Sequence, residues 1–167
     1  MRKKIIFLDV DGVLNPMTNI WARKQKGEPT SSYYIKLPGD KIYRLKRICD
    51  TTGADCVCSS SWRIGFQKST MQPSEAYINL KSQLNPYGIN LIDWTPLHIE
   101  RHRGTEIEWW LKNFESRYKY RPGYIIIDDE LHDIIDMHRG HCVKTTTLLG
   151  LQEEHVNIAI NLLNSQF

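Results

Sequence analysis

The chain has 167 residues, of which 41% are hydrophobic, 25% charged and 10% aromatic, the composition of an ordinary globular protein. This length fits one domain with a substantial core, residues 1–167, and the composition excludes a disordered chain, a coiled coil and a collagen-like repeat. The formal net charge of +3 does not by itself imply a nucleic-acid partner.

In chain order, the first predicted element is a buried strand over residues 4–10, a nearly continuous apolar run typical of a parallel sheet. Residues 15–39 contain three prolines and no clean period, so they are predicted to form a long loop or flap. Apolar residues spaced three and four apart predict a helix over 40–52, with Asp40 as its N-cap and Gly53 as its stop.

The rest of the chain alternates predicted strands and helices. Strands are predicted over 55–59, 88–92 (at a sheet edge), 123–127 and 143–146. Helices are predicted over 73–84, 105–118 and 152–163. The pattern Thr105-x-x-Glu108 predicts a capping box at the start of the second of these helices. The alternation predicts an α/β domain with a mostly parallel central sheet.

Polar groups follow three of the apolar strands directly. They are Asp9-Val10-Asp11-Gly12, Ser59-Ser60-Ser61 and Asp128-Asp129. The carboxyl ends of parallel strands share one edge of the sheet, where open α/β sheets bind their ligands. Grouped carboxylates repel one another unless a cation neutralises them, and oxygen ligands suit Mg²⁺. The sequence therefore predicts a magnesium site at this edge.

Each of these three groups also has a purely structural explanation. The early acids could cap a turn, the serines could form a hydroxyl-rich turn, and the late acid pair could cap a helix. All three explanations must hold together to remove the site. The acids are surrounded by basic clusters at 23–26, 41–47, 101–103 and 117–121, which suits an anionic substrate.

The cysteines predict no disulfide. Cys56 and Cys58 lie two apart in an apolar run, so they share one strand face and are expected as buried thiols. A zinc site with His138 and His141 is a minor alternative, because the chain has no CxxC pair. No apolar run approaches the roughly 20 residues of a membrane span, and Asp9 interrupts the apolar N-terminal stretch, so we expect a cytoplasmic protein.

Residues 7–15, Phe-Leu-Asp-Val-Asp-Gly-Val-Leu-Asn, resemble the first motif of the haloacid dehalogenase (HAD) superfamily of aspartate-dependent phosphohydrolases. The order of the later groups also matches: a serine after the second strand, a basic residue at a helix start and a late acid pair. The C-terminal part is similar to small members related to RNA-repair and polynucleotide 3′-phosphatase domains. The resemblance implies a Rossmann-like three-layer α/β/α domain.

The resemblance implies roles for the acids and the serine. Asp9 would be the nucleophile that forms an aspartyl-phosphate, and Asp11 the general acid and base. The side chains of Asp9 and Asp129 and the backbone carbonyl of Asp11 would hold Mg²⁺. Ser60 would bind the substrate phosphate, with Ser59 as the alternative.

It also implies roles for two arginines and two supporting acids. Arg63 would help to hold the phosphate, and Arg103 would replace the lysine that this superfamily usually has. Asp128 would support the metal ligand, and Asp133 would be a further supporting acid.

The leading hypothesis is thus a magnesium-dependent phosphomonoesterase. Neither 15–39 nor 64–102 is long enough for a folded cap, so the site would stay open to a large substrate, such as a phosphorylated nucleic-acid end. Phosphatase action on a small metabolite or nucleotide, with 15–39 closing over it, is the alternative. A receiver-type phospho-acceptor module is disfavoured by the order of the acids. A non-catalytic nucleic-acid-binding domain is disfavoured because acids would face a polyanion. No membrane or obligate protein partner is expected.

Overall fold

The computed structural model describes residues 2–65 and 72–166. Its centre is a sheet of five strands, β1 (Lys4–Leu8), β2 (Asp55–Cys58), β3 (Leu91–Trp94), β4 (Gly123–Asp128) and β5 (Cys142–Lys144). Every pairing is parallel and the order is β3-β2-β1-β4-β5. This confirms the predicted α/β class with a parallel sheet.

Helices cover both faces of the sheet. They are α1 (Met17–Gln25), α2 (Gly39–Thr52), α3 (Glu75–Leu84), α4 (Arg103–Tyr118), α5 (Ile135–His138) and α6 (Glu153–Asn164). The buried faces of α2, α3 and α6 share one apolar core, while α4 and the residue before α5 pack into a second core on the opposite face. The three-layer arrangement is therefore confirmed.

The central strands are apolar throughout because they supply both cores. In β1, Ile6 and Leu8 enter one core, whereas Ile5 and Phe7 enter the other. All four side chains are fully buried. A strand covered on both faces has no solvent side, so its sequence shows a continuous apolar run rather than alternation.

The prediction of a loop without regular structure over 15–39 is wrong in part, because helix α1 lies within it. None of the α1 residues is buried, so the helix has no apolar stripe that a periodicity search could find. The remainder, from Lys26 to Pro38, has no helix or strand.

Two helix starts differ from their predictions. Helix α2 follows Pro38 as its N-cap, and the carboxylate of Asp40 pairs with Arg44 instead of capping the helix. Helix α4 begins two residues before Thr105, because the His102 ring accepts the Thr105 N–H and caps the helix.

The other boundaries shift by a few residues. Strand β3 is at the predicted edge but begins at Leu91, and β5 begins at Cys142. Helix α2 does stop at Gly53, which has a φ of +70° that favours glycine.

The described cysteines are free thiols, and Cys56 and Cys58 enter the same core, as predicted. Within the described ranges, the helices are all too short or too polar to cross a bilayer.

Candidate active site

The strand ends bring the predicted polar groups together. Leu8 at the end of β1 pairs with Cys58 of β2 and Ile127 of β4, so the residues that follow these strands lie in one row. The backbone N–H of Asp9 donates to Ile127, and that of Ser59 donates to Leu8. The parallel register thus builds a crevice at the carboxyl edge of the sheet.

Three carboxylates converge in this crevice. Asp9, Asp128 and Asp129 each offer an oxygen, and these oxygens lie within 4.8 Å of one another. Asp9 and Asp128 are buried, whereas Asp129 is half-buried. An all-oxygen donor set of this kind suits a hard cation such as Mg²⁺.

Burial makes the charged forms of two of these carboxylates unfavourable. Burial and the neighbouring Asp128 carboxylate raise the pKa of Asp9 to about 8. Burial also raises the pKa of Asp128 to about 6, although Arg103 acts against this shift. Both carboxylates would ionise more readily beside a bound cation.

Arg103 at the start of α4 is the cation within the cluster. Its two terminal nitrogens lie 2.6 and 3.2 Å from the two carboxylate oxygens of Asp128, a bidentate pair, and one lies 3.8 Å from Asp9. Burial lowers the pKa of Arg103, but the surrounding carboxylates outweigh this and raise it. Arg103 therefore stays charged and partly neutralises the acids.

Asp133 sets the position of Arg103. Its carboxylate accepts the backbone N–H of Arg103 at 2.9 Å, and its backbone carbonyl accepts the N–H of Gly104. Asp133 thus holds the first turn of α4.

Asp129 lies against the turn that follows β1. A Cβ atom on Gly12 would lie 2.2 Å from the Oδ2 atom of Asp129, and Gly12 has a φ of +73°. The same Asp129 oxygen accepts a hydrogen bond from the Thr147 hydroxyl, and the Thr145 hydroxyl donates to the Gly12 carbonyl. Glycine is needed here for both the backbone conformation and the close approach.

Asp11 lies at the exposed mouth of the crevice, and two donors fix its carboxylate. The Asn15 amide donates to Oδ1 at 2.7 Å, and the Trp62 indole donates to Oδ2 at 2.9 Å. Trp62 is 3% exposed, so one of these donors is held firmly by the core. A carboxylate oriented in this way can serve proton transfer.

Ser60, rather than Ser59, faces the acid cluster. The Ser60 hydroxyl lies close enough to the Asp9 carboxylate to act against the rise in its pKa. The Ser59 hydroxyl is buried and has no hydrogen-bond partner within the described residues. This contact favours Ser60 as the hydroxyl residue of the site.

Arg63, the predicted phosphate ligand, has its guanidinium group bound within the protein instead. Its Nε donates to the carbonyl of Thr95, and its Nη1 donates to the carbonyls of Ser59 and Ser60. Its Nη2 forms an ion pair with Glu106 of α4, and the two side chains are only 3% and 1% exposed. All three guanidinium nitrogens are therefore engaged within the protein, and Arg63 holds the serine turn in place.

Sequence reasoning missed several of these groups. Glu106 is a glutamate within an amphipathic helix, and nothing local distinguishes it from a solvated residue. Asn15 and Trp62 do have a signal, since Asn15 is the last residue of the first motif and Trp62 directly follows the three serines. The threonines at 145 and 147 follow β5, and no motif marks them in the sequence.

The zinc alternative finds no support. His138 is bonded to the Gly104 carbonyl and the Tyr124 hydroxyl, and His141 to the Tyr124 carbonyl. Both rings therefore have structural partners.

Comparisons with known proteins identify a family. A family model described as the HAD domain in Swiss Army Knife RNA repair proteins matches residues 5–156 of the 167-residue chain. Comparisons with the curated proteins and with the solved structures found no significant match.

Proposed function

The chain belongs to the family of HAD domains found in Swiss Army Knife RNA repair proteins, and on this premise we propose that it is a magnesium-dependent phosphomonoesterase. Family membership implies a phosphohydrolase-type activity. The observation that best supports the fuller proposal is the juxtaposition of Asp9, Asp129 and Arg103 beside Asp11 at one edge of the sheet. We treat residues 1–167 as one such domain, acting in the cytoplasm.

The acid cluster fits Mg²⁺. Its donors are oxygen atoms alone, and a bound cation would oppose the rise in the pKa of Asp9 that burial and the neighbouring Asp128 carboxylate cause. We assign the side chains of Asp9 and Asp129 and the backbone carbonyl of Asp11 as ligands. Asp128 is already bonded bidentately to Arg103, so it supports the site by orienting that arginine. The bound cation would supply charge neutralisation for the carboxylates and the substrate phosphate.

Asp9 is the proposed nucleophile. One of its carboxylate oxygens forms a bond to phosphorus, and the bond between phosphorus and the substrate oxygen breaks. Asp11 gives its proton to that leaving oxygen. It then takes a proton from water, whose oxygen attacks the aspartyl-phosphate and releases inorganic phosphate and free Asp9.

The other polar residues of the site would position the substrate phosphate and offset negative charge. The Ser60 hydroxyl, next to Asp9, is placed to donate to a phosphate oxygen. Arg103 lies 3.8 Å from Asp9 and offsets the charge that gathers when phosphate enters. Arg63 would act indirectly, by holding the turn that contains Ser60, because its N–H donors bind backbone carbonyls and Glu106.

A phosphorylated nucleic-acid end is the proposed substrate class. The matched family is described by its occurrence in RNA repair proteins, and the exposed Arg101 lines the same cavity as Asp9 and Arg103. A cation at the rim of an open site favours a polyanion. Phosphatase action on a small metabolite or nucleotide remains the competing proposal. Part of the segment expected to be too short for a cap, 66–71, lies outside the described residues.

The test is phosphate release from a substrate panel. We expect purified protein with Mg²⁺ to release phosphate from a 3′-phosphorylated oligonucleotide faster than from mononucleotides or sugar phosphates. A chelator should stop the reaction reversibly, and Asp9→Asn should abolish it.

Asp50→Asn is the matched control, because it makes the same chemical change at an exposed α2 residue that pairs only with Lys46 among the ion pairs of the described chain. It should retain full activity. Activity in Asp9→Asn would contradict the mechanism, and oligonucleotide binding without hydrolysis of any phosphomonoester would favour the non-catalytic binding domain.

A further inference from the structure

A second cavity adjoins the acid cluster on the other side of Asp11. It has a volume of about 280 Å³, compared with about 400 Å³ for the cavity that contains Asp9 and Arg103. The two cavities share Asp11, Ser61 and Ile64. Asp11 therefore stands between a charged cavity and a neighbouring one.

The second cavity is lined mainly by uncharged side chains, whereas the cavity that contains Asp9 and Arg103 is lined largely by charged ones. The residues that line it are Asp11, Ser32, Tyr33, Ser61, Trp62, Ile64, Gly65 and Ala76. Asp11 is the one charged side chain among these described lining residues, and the others supply hydroxyls, aromatic rings and aliphatic surface. Such a surface suits a neutral group that has both a flat ring and hydroxyls, and it offers no cation to a second phosphate.

One wall of this cavity is held in place by α3. The Asn79 side-chain amide donates to the carbonyls of Ser32 and Ile35 at 2.9 and 3.2 Å. The Gln83 amide donates to the Ile35 carbonyl and accepts the N–H of Leu37. Ile35 and Leu37 are themselves buried in the core. The wall that presents Tyr33 is thus formed before any ligand binds, which lowers the entropic cost of binding.

The chemistry of the proposed reaction fixes which part of the substrate reaches this cavity. Phosphorus must lie at Asp9, and the leaving oxygen must lie at Asp11, which protonates it. The group attached to that oxygen can then enter the second cavity, which Asp11 also lines.

We propose that this cavity binds the terminal nucleoside of the substrate, with its base against the Tyr33 ring and its sugar near the hydroxyls of Ser32 and Ser61. This inference rests on the proposed function and specifies it: the protein selects nucleoside phosphates over phosphates of small alcohols. Stacking of one base on an aromatic side chain contributes about 1–3 kcal/mol, or roughly 5- to 150-fold in affinity.

The test compares two substrates across two tyrosine variants. Initial rates with Mg²⁺ are measured for adenosine 3′-monophosphate and for glycerol 2-phosphate, which has no base. Wild type should favour the nucleotide in kcat/KM. Tyr33→Leu should lower this preference at least fivefold, mainly through a higher KM for the nucleotide. Tyr43→Leu is the matched control, because Tyr43 of α2 is 55% exposed and does not line the cavity, and it should keep the wild-type preference.

The possible failures are distinguishable. Wild-type hydrolysis of both substrates with equal kcat/KM would overturn the nucleoside site and leave the phosphatase proposal standing. An equal loss on both substrates in Tyr33→Leu would also overturn it, since that result indicates a structural role for the ring. Hydrolysis of no phosphomonoester would overturn the proposed function, and the nucleoside site with it.

Discussion

Removal of the Glu106 carboxylate should destabilise the fold strongly. Glu106 and Arg63 form an ion pair whose side chains are 1% and 3% exposed, and the other Glu106 oxygen accepts the His98 N–H at 2.8 Å. In Glu106→Ala, Arg63 keeps its carbonyl acceptors but has an uncompensated buried charge. Breaking one side of a buried pair costs about 3–5 kcal/mol. Typical domains have only about 5–15 kcal/mol of stability, so the loss is a large fraction.

The assay is urea unfolding, with the free energy of unfolding measured for each variant. Glu106→Gln should lose less than Glu106→Ala, because its amide oxygen can still accept the His98 N–H. Glu108→Ala is the matched control on the same helix: Glu108 pairs with Arg121 at side-chain exposures of 20% and 36%, a geometry that contributes about 0–1 kcal/mol.

The double variant Arg63→Met/Glu106→Ala completes a thermodynamic cycle. It should be destabilised by clearly less than the sum of the single variants, because no charge is left buried and unpaired. A loss below about 1 kcal/mol in Glu106→Ala would refute the reasoning, since that value belongs to exposed pairs. Additive losses would show that the two residues act independently.

Three other residues give further predictions. The pKa of Asp9 is raised from an ordinary 3.8 to about 8, so the metal-free protein should lose stability as the pH rises from about 4 through about 8. In the presence of a chelator at pH 9, Asp9→Asn should therefore unfold at a higher urea concentration than wild type. Near pH 4 the two proteins should differ little. Gly12→Ala should abolish activity and weaken Mg²⁺ binding in calorimetry, because the methyl group collides with Asp129; unchanged binding would contradict this. Trp62→Phe should lower kcat several-fold with a smaller effect on KM, since Asp11 loses a donor; rates equal to wild type would show that the indole does not orient it.

The strand-end acids were predictable because apolar runs followed by carboxylates are visible in the sequence itself. Once β1 and β4 are parallel neighbours, Asp9 and the acids of 128–129 must share an edge. The partner of Arg63 was not predictable, because Glu106 is 43 residues away and meets it only through folding. The local sequence shows only that Arg63 follows the serine motif. In the fold its side chain is buried, and it therefore donates to backbone carbonyls.

The predicted start of helix α4 was wrong for a related reason. Thr105 and Glu108 form a valid local capping pattern, yet His102 caps α4 and Asp133 binds the backbone of its first turn. Glu108 instead pairs with Arg121. The first residue of α4 thus depends on a tertiary contact with Asp133, and a local sequence pattern contains no information about such a contact.

Phosphorylation of Asp9 is tested most directly by a rapid-quench experiment on Asp11→Asn with an aryl phosphate. The aryl leaving group departs without an acid, whereas breakdown of the phosphorylated enzyme still needs the base at Asp11. We expect Asp11→Asn to release a burst of about one aryl alcohol per enzyme molecule followed by slow turnover, and Asp9→Asn to show no burst. Steady turnover by Asp9→Asn, or the absence of a burst in Asp11→Asn together with undiminished turnover, would contradict it.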